Sequence, residues 1–414
     1  MRGNIYATYA MSRPEKMRVV GVVDPDPVRR ENMAKKHNIQ AEHTLTSVDE
    51  LVGMDKFADA VIISTLDQTH CNIAVAMANR KYNILLEKPM ATSLQDCKDI
   101  YQATVDNGIT LAVCHVMRYT PIYSEVMKLV NSGVLGEIYS VQHLEAIGNT
   151  HFSHSFVRGN WAKEEETSFS LMTKCIHDVD LINWFMGGAK CTKVSSFGHL
   201  SHFKKDKKPM EAGDAKTCME CAHESNCPYS AKTIYLEPTK RGESGFPMNA
   251  ITNVIDIENI TKAITSGPYG RCVYECDNNV CDNQVVTFEF EGNKTATLTM
   301  IAFTEDLCIR KTKIYGSKGE LITDGIGEIT VFDFATCKKT VVHPHEMEQY
   351  KVYSDLFGHG GGDYGIISSF IDSLIYNDPS LNKSGAYESL LSHMYTFAAE
   401  DSRVKGCVVT PDTS

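Results

Sequence analysis

The chain has 414 residues, 43% of them hydrophobic, and a formal net charge of −11 at pH 7. Its length exceeds the usual size of a single domain, so we expect two domains with packed cores. The acidic balance argues against a protein that binds nucleic acid through a basic face.

Membrane and secretory signals are also missing from the sequence. No apolar run approaches the roughly 20 residues of a membrane helix, so we expect no membrane partner. The first residues, Met1 to Asn4, lack the apolar core of a signal peptide. Fourteen cysteines are scattered along the chain rather than framing a small loop-rich domain, which predicts reduced thiols and a cytoplasmic protein.

Strand and helix patterns alternate over the first part of the chain, which predicts a parallel, doubly wound sheet of the Rossmann type. We assign residues 1–120 to this first domain. Strands are predicted at 17–23, 59–65, 84–87 and 110–114, and helices at 4–12, 27–37, 70–80, 93–107 and 121–132.

The pattern changes from about residue 138 onwards. Residues 285–290 and 295–300 alternate in period two around a polar turn, and 311–315 and 320–323 repeat this hairpin pattern. Residues 121–414 are therefore predicted to form an α/β domain with a large, open, mostly antiparallel sheet. Helices at 364–376 and 386–403 close the chain, and residues 203–282, with six cysteines, form an insertion.

The segment Asn83 to Met90 carries the clearest functional signal. An apolar strand ends there in Glu87 and Lys88, at the edge where open α/β sheets bind ligands. Pro89 keeps Lys88 out of the helical region, so the ammonium group has a defined direction. A solvated Glu-Lys pair at a strand end is the alternative interpretation.

A dinucleotide site is indicated nearer the start of the chain. Asp24 ends a predicted strand roughly 20 residues after Gly3, the spacing of a carboxylate that binds the adenosine ribose. A carboxylate there favours NAD over NADP, although Arg29 and Arg30 weaken this preference. Alternatively, Asp24 is a turn residue in Asp-Pro-Asp-Pro.

These motifs, in this order, resemble the glucose–fructose oxidoreductase, inositol dehydrogenase and MocA (Gfo/Idh/MocA) family. The resemblance rests on Asp24-Pro25-Asp26, Ser64-Thr65 before His70, Glu87-Lys88-Pro89, and the segments 115–121, 133–138 and 177–180. It implies a Rossmann domain followed by an α/β domain whose open sheet often forms an oligomer interface, so we expect a homodimer or homotetramer. It also implies that a lysine and a histidine flank the substrate carbon that faces the nicotinamide.

Two departures from the family pattern stand out. The opening strand and the first two glycines of the dinucleotide motif are missing ahead of Gly3, and Thr173 stands where many relatives have an aspartate.

The cofactor, NAD or alternatively NADP, is expected to bind at Arg2, Gly3, Asp24, Ser64, Thr65, His70, Glu87 and Lys88.

The catalytic candidates are Lys88, Lys174 and His177. A helix is predicted from 174 to 184, and its i, i+3 spacing places Lys174 and His177 on one face. His177 has a suitable pKa for accepting a hydroxyl proton. We expect Lys88 and Lys174 to depress each other's pKa and to stabilise alkoxide charge. Surface lysines and a satisfied core histidine are the alternatives.

A polyhydroxylated ligand is indicated by the segment 151–161, which combines aromatic and hydrogen-bonding side chains. An ordinary loop is the alternative. The predicted substrate-binding residues are Arg118, Tyr119, His154, Arg158, Trp161 and His177. At the start of a later helix, Asp363 is predicted to be the N-cap.

A structural zinc ion is the second cofactor hypothesis. Cys218 and Cys221, followed by Cys227, have the spacing of a zinc knuckle, and Cys272, Cys276 or Cys281 could be the fourth ligand. We take Cys272 as the fourth candidate. Reduced thiols in a loop are the alternative.

Together these features predict an enzyme that transfers hydride between NAD(P) and a sugar, cyclitol or related polyol. Two alternatives stay open: a glycosidase that retains its NAD, and a non-catalytic sugar-binding or scaffold protein.

Overall fold

The computed structural model describes residues 2–351 and 358–412, and it has the predicted α/β class. In the first domain, β1 (Val22–Val23) pairs with β2 (Thr44–Leu45), and β3 (Ala60–Ile63), β4 (Asn83–Leu86) and β5 (Leu111–Val113) form a second sheet. All of these pairings are parallel, as expected for a Rossmann domain. The helices of this region are α1 (Arg2–Ala7), α2 (Tyr9–Ser12), α3 (Pro27–His37), α4 (Val48–Gly53), α5 (His70–Asn79), α6 (Leu94–Asn107) and α7 (Pro121–Asn131).

Strand β1 is much shorter than the predicted strand at 17–23. Only Val22 and Val23 pair with a neighbour, and residues 17–21 have no ladder partner among the residues described. A strand needs a neighbour to satisfy its backbone groups, so the apolar pattern alone does not extend β1. The predicted helix at 4–12 is likewise divided, into α1 and α2.

Eight of the described strands form the large sheet of the second domain. Their order is β13-β12-β11-β10-β6-β9-β8-β7, antiparallel throughout except for the parallel pair of β6 and β9. Both predicted hairpins are present. One face of the sheet is buried and the other is open, as in β8, where residues alternate between the two. The strands are β6 (Ile138–Ala146), β7 (Cys191–His199), β8 (Asn283–Phe290), β9 (Lys294–Ile301), β10 (Ile309–Gly316), β11 (Gly319–Thr323), β12 (Ile329–Asp333) and β13 (Lys338–Val342).

The insertion between β7 and β8 has a small core of its own, formed by side chains such as Tyr235, Ile260 and Ile264. Its main helix is amphipathic and begins after the N-cap Asp256. The helices from β6 to the end of the insertion are α8 (Asn149–Phe152), α9 (Ser170–Thr173), α10 (Ile176–Phe185), α11 (Glu237–Lys240), α12 (Met248–Ile251) and α13 (Ile257–Ser266), with π-helical segments at Ser153–Arg158 and Lys232–Leu236.

The last two helices, α14 (Gly362–Ile375) and α15 (Ala386–Lys405), pack back onto the first domain. His393 of α15 accepts a hydrogen bond from the Met90 N–H at 2.8 Å, and Lys16 pairs with Asp372 of α14 at 2.7 Å. The C-terminal helices therefore contribute to the support of the Lys88–Pro89 segment. Within the described ranges, no helix is long and apolar enough to cross a membrane.

Candidate active site

The end of β4 is held from several sides. Glu87 is buried and accepts hydrogen bonds from Arg2 Nε and from the Tyr6 hydroxyl, both at 2.7 Å. Burial opposes its charge, but Arg2 and Tyr6 keep the pKa of Glu87 below its usual value. The next peptide bond, Lys88–Pro89, is cis. The hydrogen bonds that Glu87 accepts hold the end of the strand from which the side chain of Lys88 extends.

Lys88 extends from this corner toward the second domain. Its Nζ donates to the Thr173 carbonyl oxygen at 2.7 Å and lies 5.9 Å from the centre of the Trp161 ring. Burial lowers the pKa of Lys88, and the charges of Asp67 and Glu87 partly offset this effect. The ammonium group is thus placed where the two domains meet, with a depressed pKa.

Helix α10 places His177 between two buried ion pairs. On one side, Asp178 accepts from Arg310 Nε at 2.6 Å and from His143 at 2.9 Å. On the other, Asp180 is paired with Arg118 through two hydrogen bonds, of 2.6 and 2.7 Å. The helix is therefore fixed to both the large sheet and the first domain, which orients the histidine.

The imidazole of His177 is 5% exposed, and its Nδ1 has no hydrogen-bond partner in the described part of the chain. Burial, followed by the charges of Lys88 and Arg310, holds the pKa of His177 well below its ordinary value. The ring is consequently neutral at pH 7 and able to accept a proton.

Lys174 differs from its prediction in two respects. It lies between α9 and α10 rather than inside one helix with His177, because the helix is interrupted at residues 174–175. Its Nζ lies 2.9 Å from Cys308 Sγ and 3.3 Å from Glu145 Oε1. Burial acts to lower the pKa of Lys174, but the neighbouring Glu145 raises it above its ordinary value. The prediction that Lys88 and Lys174 depress each other's pKa is therefore wrong for Lys174.

A buried charge network beneath the site was not predicted. Glu145 of β6 lies 3.2 Å from Arg310 of β10, and Arg310 also binds Asp178. Despite its burial, Arg310 and His143 hold the pKa of Asp178 at about 2. The sequence could have indicated this network through a charged residue at an inward-facing position of each strand. Glu145 and Arg310 both point to the buried face of the sheet.

The predicted cofactor positions lie along the ends of β1, β3 and β4. Asp24 is half-buried and accepts two hydrogen bonds of 3.0 Å from Arg29. Burial acts to raise the pKa of the Asp24 carboxyl group, but the bonds from Arg29 help to lower it. Gly3 lies so close to Ser64 that a Cβ would come within 2.6 Å of Oγ. Ser64 is half-buried and Thr65 is exposed at the end of β3. Acidic and hydroxyl groups around a glycine are compatible with a dinucleotide.

Arg2 and His70 are placed differently from the prediction of cofactor contact. Arg2 binds Glu87, Tyr6 and both oxygens of Asp363. His70 is fully buried, and its Nδ1 lies 2.8 Å from the Pro89 carbonyl oxygen. Both residues therefore hold the Glu87–Pro89 corner in place. Asp363, predicted as an N-cap, is instead the second residue of α14 and the partner of Arg2.

Arg118 and Tyr119, predicted to bind substrate, are both buried and bind protein groups. Besides Asp180, Arg118 donates to the Lys383 carbonyl oxygen at 2.6 Å. The Tyr119 hydroxyl lies 2.9 Å from Ser384 Oγ. These side chains join the first domain to the loop before α15.

In the segment 151–161, His154 and Arg158, both predicted to bind substrate, form hydrogen bonds with residues of the insertion. His154 Nδ1 lies 2.9 Å from the Tyr235 hydroxyl, and Arg158 donates to the Arg271 and Tyr229 carbonyl oxygens at 2.8 and 2.7 Å. Trp161, the third predicted substrate-binding residue of this segment, lies beside Lys88. Its indole N–H donates to Asp67 at 3.0 Å.

His151 and His359 lie near the site but were not among the predicted site residues. The ring of His151 packs against that of Phe156, which in turn stacks on Trp161. Burial lowers the pKa of His151 to about 2. The ring of His359 is 6.4 Å from that of His177. His151 lies in the segment 151–161 that the sequence indicated for ligand binding, whereas His359 comes near His177 only through folding.

The four predicted zinc ligands are on the rim of one small cavity in the insertion. Cys218, Cys221, Cys227 and Cys272 all line it, whereas Cys276 and Cys281 do not. Of the three residues considered for the fourth position, only Cys272 is therefore in place.

Known proteins resemble this chain in sequence and fold. YteT of Bacillus subtilis (strain 168), named as an oxidoreductase, is 24% identical over 83% of this chain and 80% of its own length. The 2,7-anhydro-N-acetylneuraminate hydratase of Escherichia coli (strain K12) is 30% identical over 43% of this chain and 45% of its own length. A levoglucosan dehydrogenase, solved with NADH and levoglucosan, has the same fold, with a TM-score of 0.69, 14% identity, and coverage of 100% of this chain and 96% of that one.

Family models match both domains of the chain. Residues 2–115 match the NAD-binding Rossmann fold of an oxidoreductase family, and residues 127–382 match the C-terminal alpha/beta domain of that family. Because these two models together cover most of the chain, it belongs to the Gfo/Idh/MocA family of NAD(P)-dependent oxidoreductases.

Proposed function

We propose that this chain transfers hydride between NAD and a secondary alcohol of a sugar, cyclitol or related polyol, with His177 and Lys88 as its catalytic residues. The observation that carries the proposal is the contact of Lys88 with the segment that bears His177. The Lys88 ammonium donates to the Thr173 carbonyl oxygen at 2.7 Å, four residues before His177, whose buried Nδ1 has no hydrogen-bond partner among the described residues. The two residues come from different domains and have different charges, as an acid–base pair requires.

In the direction of oxidation, His177 accepts the proton of the substrate hydroxyl on its free Nδ1 or on Nε2. Lys88 orients the same oxygen and stabilises the negative charge that develops on it. The NAD that this family binds supplies the hydride acceptor. In reduction the roles reverse, and His177 returns the proton to the oxygen.

A sugar-like substrate is supported by the walls of the site. Trp161 offers an aromatic face, while His151 and His359 offer hydrogen-bonding groups at its edge. The levoglucosan complex of a protein with the same fold agrees with this class.

NAD is proposed as the cofactor in preference to NADP. The carboxylate of Asp24 would repel a 2′-phosphate, although Arg29, already bound to Asp24, could turn toward one. Titration of the purified protein with both nucleotides, followed by thermal shift, is the direct comparison. Tighter binding of NADP would overturn the assignment.

A second candidate is a reaction that keeps its NAD, oxidising and then re-reducing the substrate around an elimination. The hydratase of Escherichia coli among the relatives favours this alternative, since its name denotes a reaction with water. The two candidates differ in one measurable respect, because a retained cofactor yields no net NADH.

The open face of the large sheet is proposed to pair copies of the chain into a dimer or tetramer. Apolar side chains stand exposed on it, among them Phe197, Val285, Ile322 and Val341. The fourteen free cysteines support a reducing compartment, and we propose the cytoplasm.

The experiment that tests the function is a panel of sugars and polyols with NAD, followed both at the NADH absorbance band and by product analysis. We expect NADH to form with at least one polyol. Product without NADH would favour the retained-cofactor reaction, and neither signal in the presence of demonstrated NAD binding would contradict both.

The catalytic assignment predicts a large effect for Lys88→Met. Turnover should fall by about 10²- to 10⁴-fold, while NAD affinity should change little because the ammonium acts on the substrate oxygen. Lys338→Met, at an exposed position of β13, is the matched control. His177→Asn should behave like Lys88→Met, with the exposed His343→Asn as its control.

A further inference from the structure

A small cavity in the insertion brings together side chains that are distant in sequence. It has a volume of about 20 Å³, and its lining includes the four cysteines Cys218, Cys221, Cys227 and Cys272 together with Arg158, His223 and Glu224. A space of this size holds one small occupant, such as a water molecule or a single ion.

Backbone hydrogen bonds hold the cysteine segments around this cavity. The Cys218 N–H donates to the Gly270 carbonyl oxygen, and the Cys272 N–H donates to that of Lys216, both at 2.8 Å. The turn that carries Cys227 is closed by a bond from its N–H to the Glu224 carbonyl oxygen at 3.1 Å. The three segments are thus fixed on different sides of one space.

Arg158 supplies an independent indication of what occupies the cavity. Its side chain is 2% exposed, and its Nη2 donates to Cys218 Sγ at 3.4 Å. Nη1 is buried without a hydrogen-bond partner among the described residues. Glu224, the carboxylate that lines the same cavity, is bound to Ser230 and Lys232 rather than to Arg158. A buried guanidinium without a counter-charge is costly, so a negatively charged group is expected beside it.

We propose that Cys218, Cys221, Cys227 and Cys272 bind one structural zinc ion and that Arg158 compensates its charge. Four thiolates around Zn²⁺ carry a net charge of −2, which supplies the anion that the guanidinium lacks. A CxxC pair with two further cysteines is a common ligand set for structural zinc. Each thiol that binds the metal releases its proton to solvent.

Metal binding would draw the sulfur atoms closer together. No three of these thiols lie within 4.8 Å of one another in the part of the chain that the structure describes. The ligand atoms that do lie so close belong to Cys71, Asp96 and Asp99, of which Asp99 is exposed. That group lies partly at the surface, unlike the buried Arg158 and its neighbouring thiol Cys218.

The test is the metal content of the full-length protein, prepared without a chelator or a metal-binding tag and analysed by mass spectrometry. We expect one zinc per chain. Cys218→Ser and Cys272→Ser should each lose it, whereas the exposed Cys337→Ser and Cys407→Ser should retain it. NAD affinity, measured on the same samples, shows whether each variant is folded and is independent of catalysis.

Arg158→Gln tests the proposed charge compensation with the ligands intact. We expect its zinc affinity to fall by about 10- to 100-fold, as for other residues that contact metal ligands. Wild-type protein that contains no zinc even after reconstitution, that contains iron instead, or whose Cys218→Ser variant keeps full zinc would overturn the proposal. None of these results depends on hydride transfer.

Discussion

Arg118 and Lys88 show how residues of the same charge differ in role once burial is known. Both belong to motifs that resemble the family pattern, but Arg118 is fully occupied by Asp180 and a backbone carbonyl. Lys88 has one carbonyl partner, at Thr173, and adjoins Trp161, so its remaining donors can reach a ligand. The sequence pattern identified both positions. Only their hydrogen-bond partners in the structure distinguish the supporting role of Arg118 from the proposed catalytic role of Lys88.

Removing the Arg118 side chain should therefore reduce stability rather than substrate affinity. We expect Arg118→Met to lower the free energy of unfolding by about 3–5 kcal/mol, because Asp180 is left buried without its partner. Urea unfolding measures the change. In the double variant with Asp180→Asn the loss should be smaller than the sum of the single losses. A stable Arg118→Met protein with a raised substrate KM would instead restore the predicted role in substrate binding.

At the scale of elements, helix α15 and the turn after β5 place neutral histidines inside the protein, close to the catalytic corner. His393 of α15 accepts the Met90 N–H, and its ring lies 5.8 Å from that of His115. Burial lowers the pKa of His393 to about 3 and that of His115 to about 4. These rings stay uncharged in the folded state under conditions in which they would be protonated in the unfolded chain.

This difference predicts a stability that falls as the pH falls. Between pH 6.5 and about 4, the unfolded chain binds protons at His393 and His115 that the folded chain does not, so the free energy of unfolding decreases with decreasing pH. Above pH 6.5 the two histidines have no such effect. We expect a lower urea midpoint at pH 5 than at pH 7.

His393→Gln, whose amide can still accept the Met90 N–H, should show a weaker dependence of the midpoint on pH. The exposed His343→Asn should behave as wild type. Identical pH profiles for His393→Gln and wild type would contradict the linkage. Carboxyl groups with lowered pKa, such as Asp178, lose their contribution only at lower pH and do not affect this comparison.

Element patterns could be predicted where the signal is local. The helix that begins after Ser93 and the hairpin of β8 and β9 follow from a cap and from period-two alternation. The break at Lys174 could not be predicted, because Lys88 bonds the Thr173 carbonyl and Glu145 binds the lysine from distant segments. The partners of Arg158 could not be predicted either, because they lie in an insertion whose sequence has no periodicity.

At the scale of the whole molecule, the site is assembled from both domains and closed by the C-terminal helices. Lys88 comes from the first domain, His177 from the second, and His393 supports the corner from α15. The open face of the large sheet lies apart from these groups. Assembly and catalysis can therefore be tested separately.

The oligomer prediction follows from that open face. Phe197 is 71% exposed on β7 and pairs with Val285 of β8 in the same sheet. We expect light scattering to show a dimer or tetramer, and Phe197→Asp to shift it toward the monomer. Val404→Asp, at an exposed position of α15, should leave the assembly intact. A monomeric wild type at micromolar concentration would contradict the prediction.

The most direct test of the central claim is a single-turnover measurement with a reactive polyol deuterated at the carbon that is oxidised. Wild type should form NADH more slowly from the deuterated substrate, because hydride transfer breaks that bond. Lys88→Met should bind NAD normally and form NADH about 10²- to 10⁴-fold more slowly, while Lys338→Met matches wild type. Normal NADH formation by Lys88→Met would contradict the account.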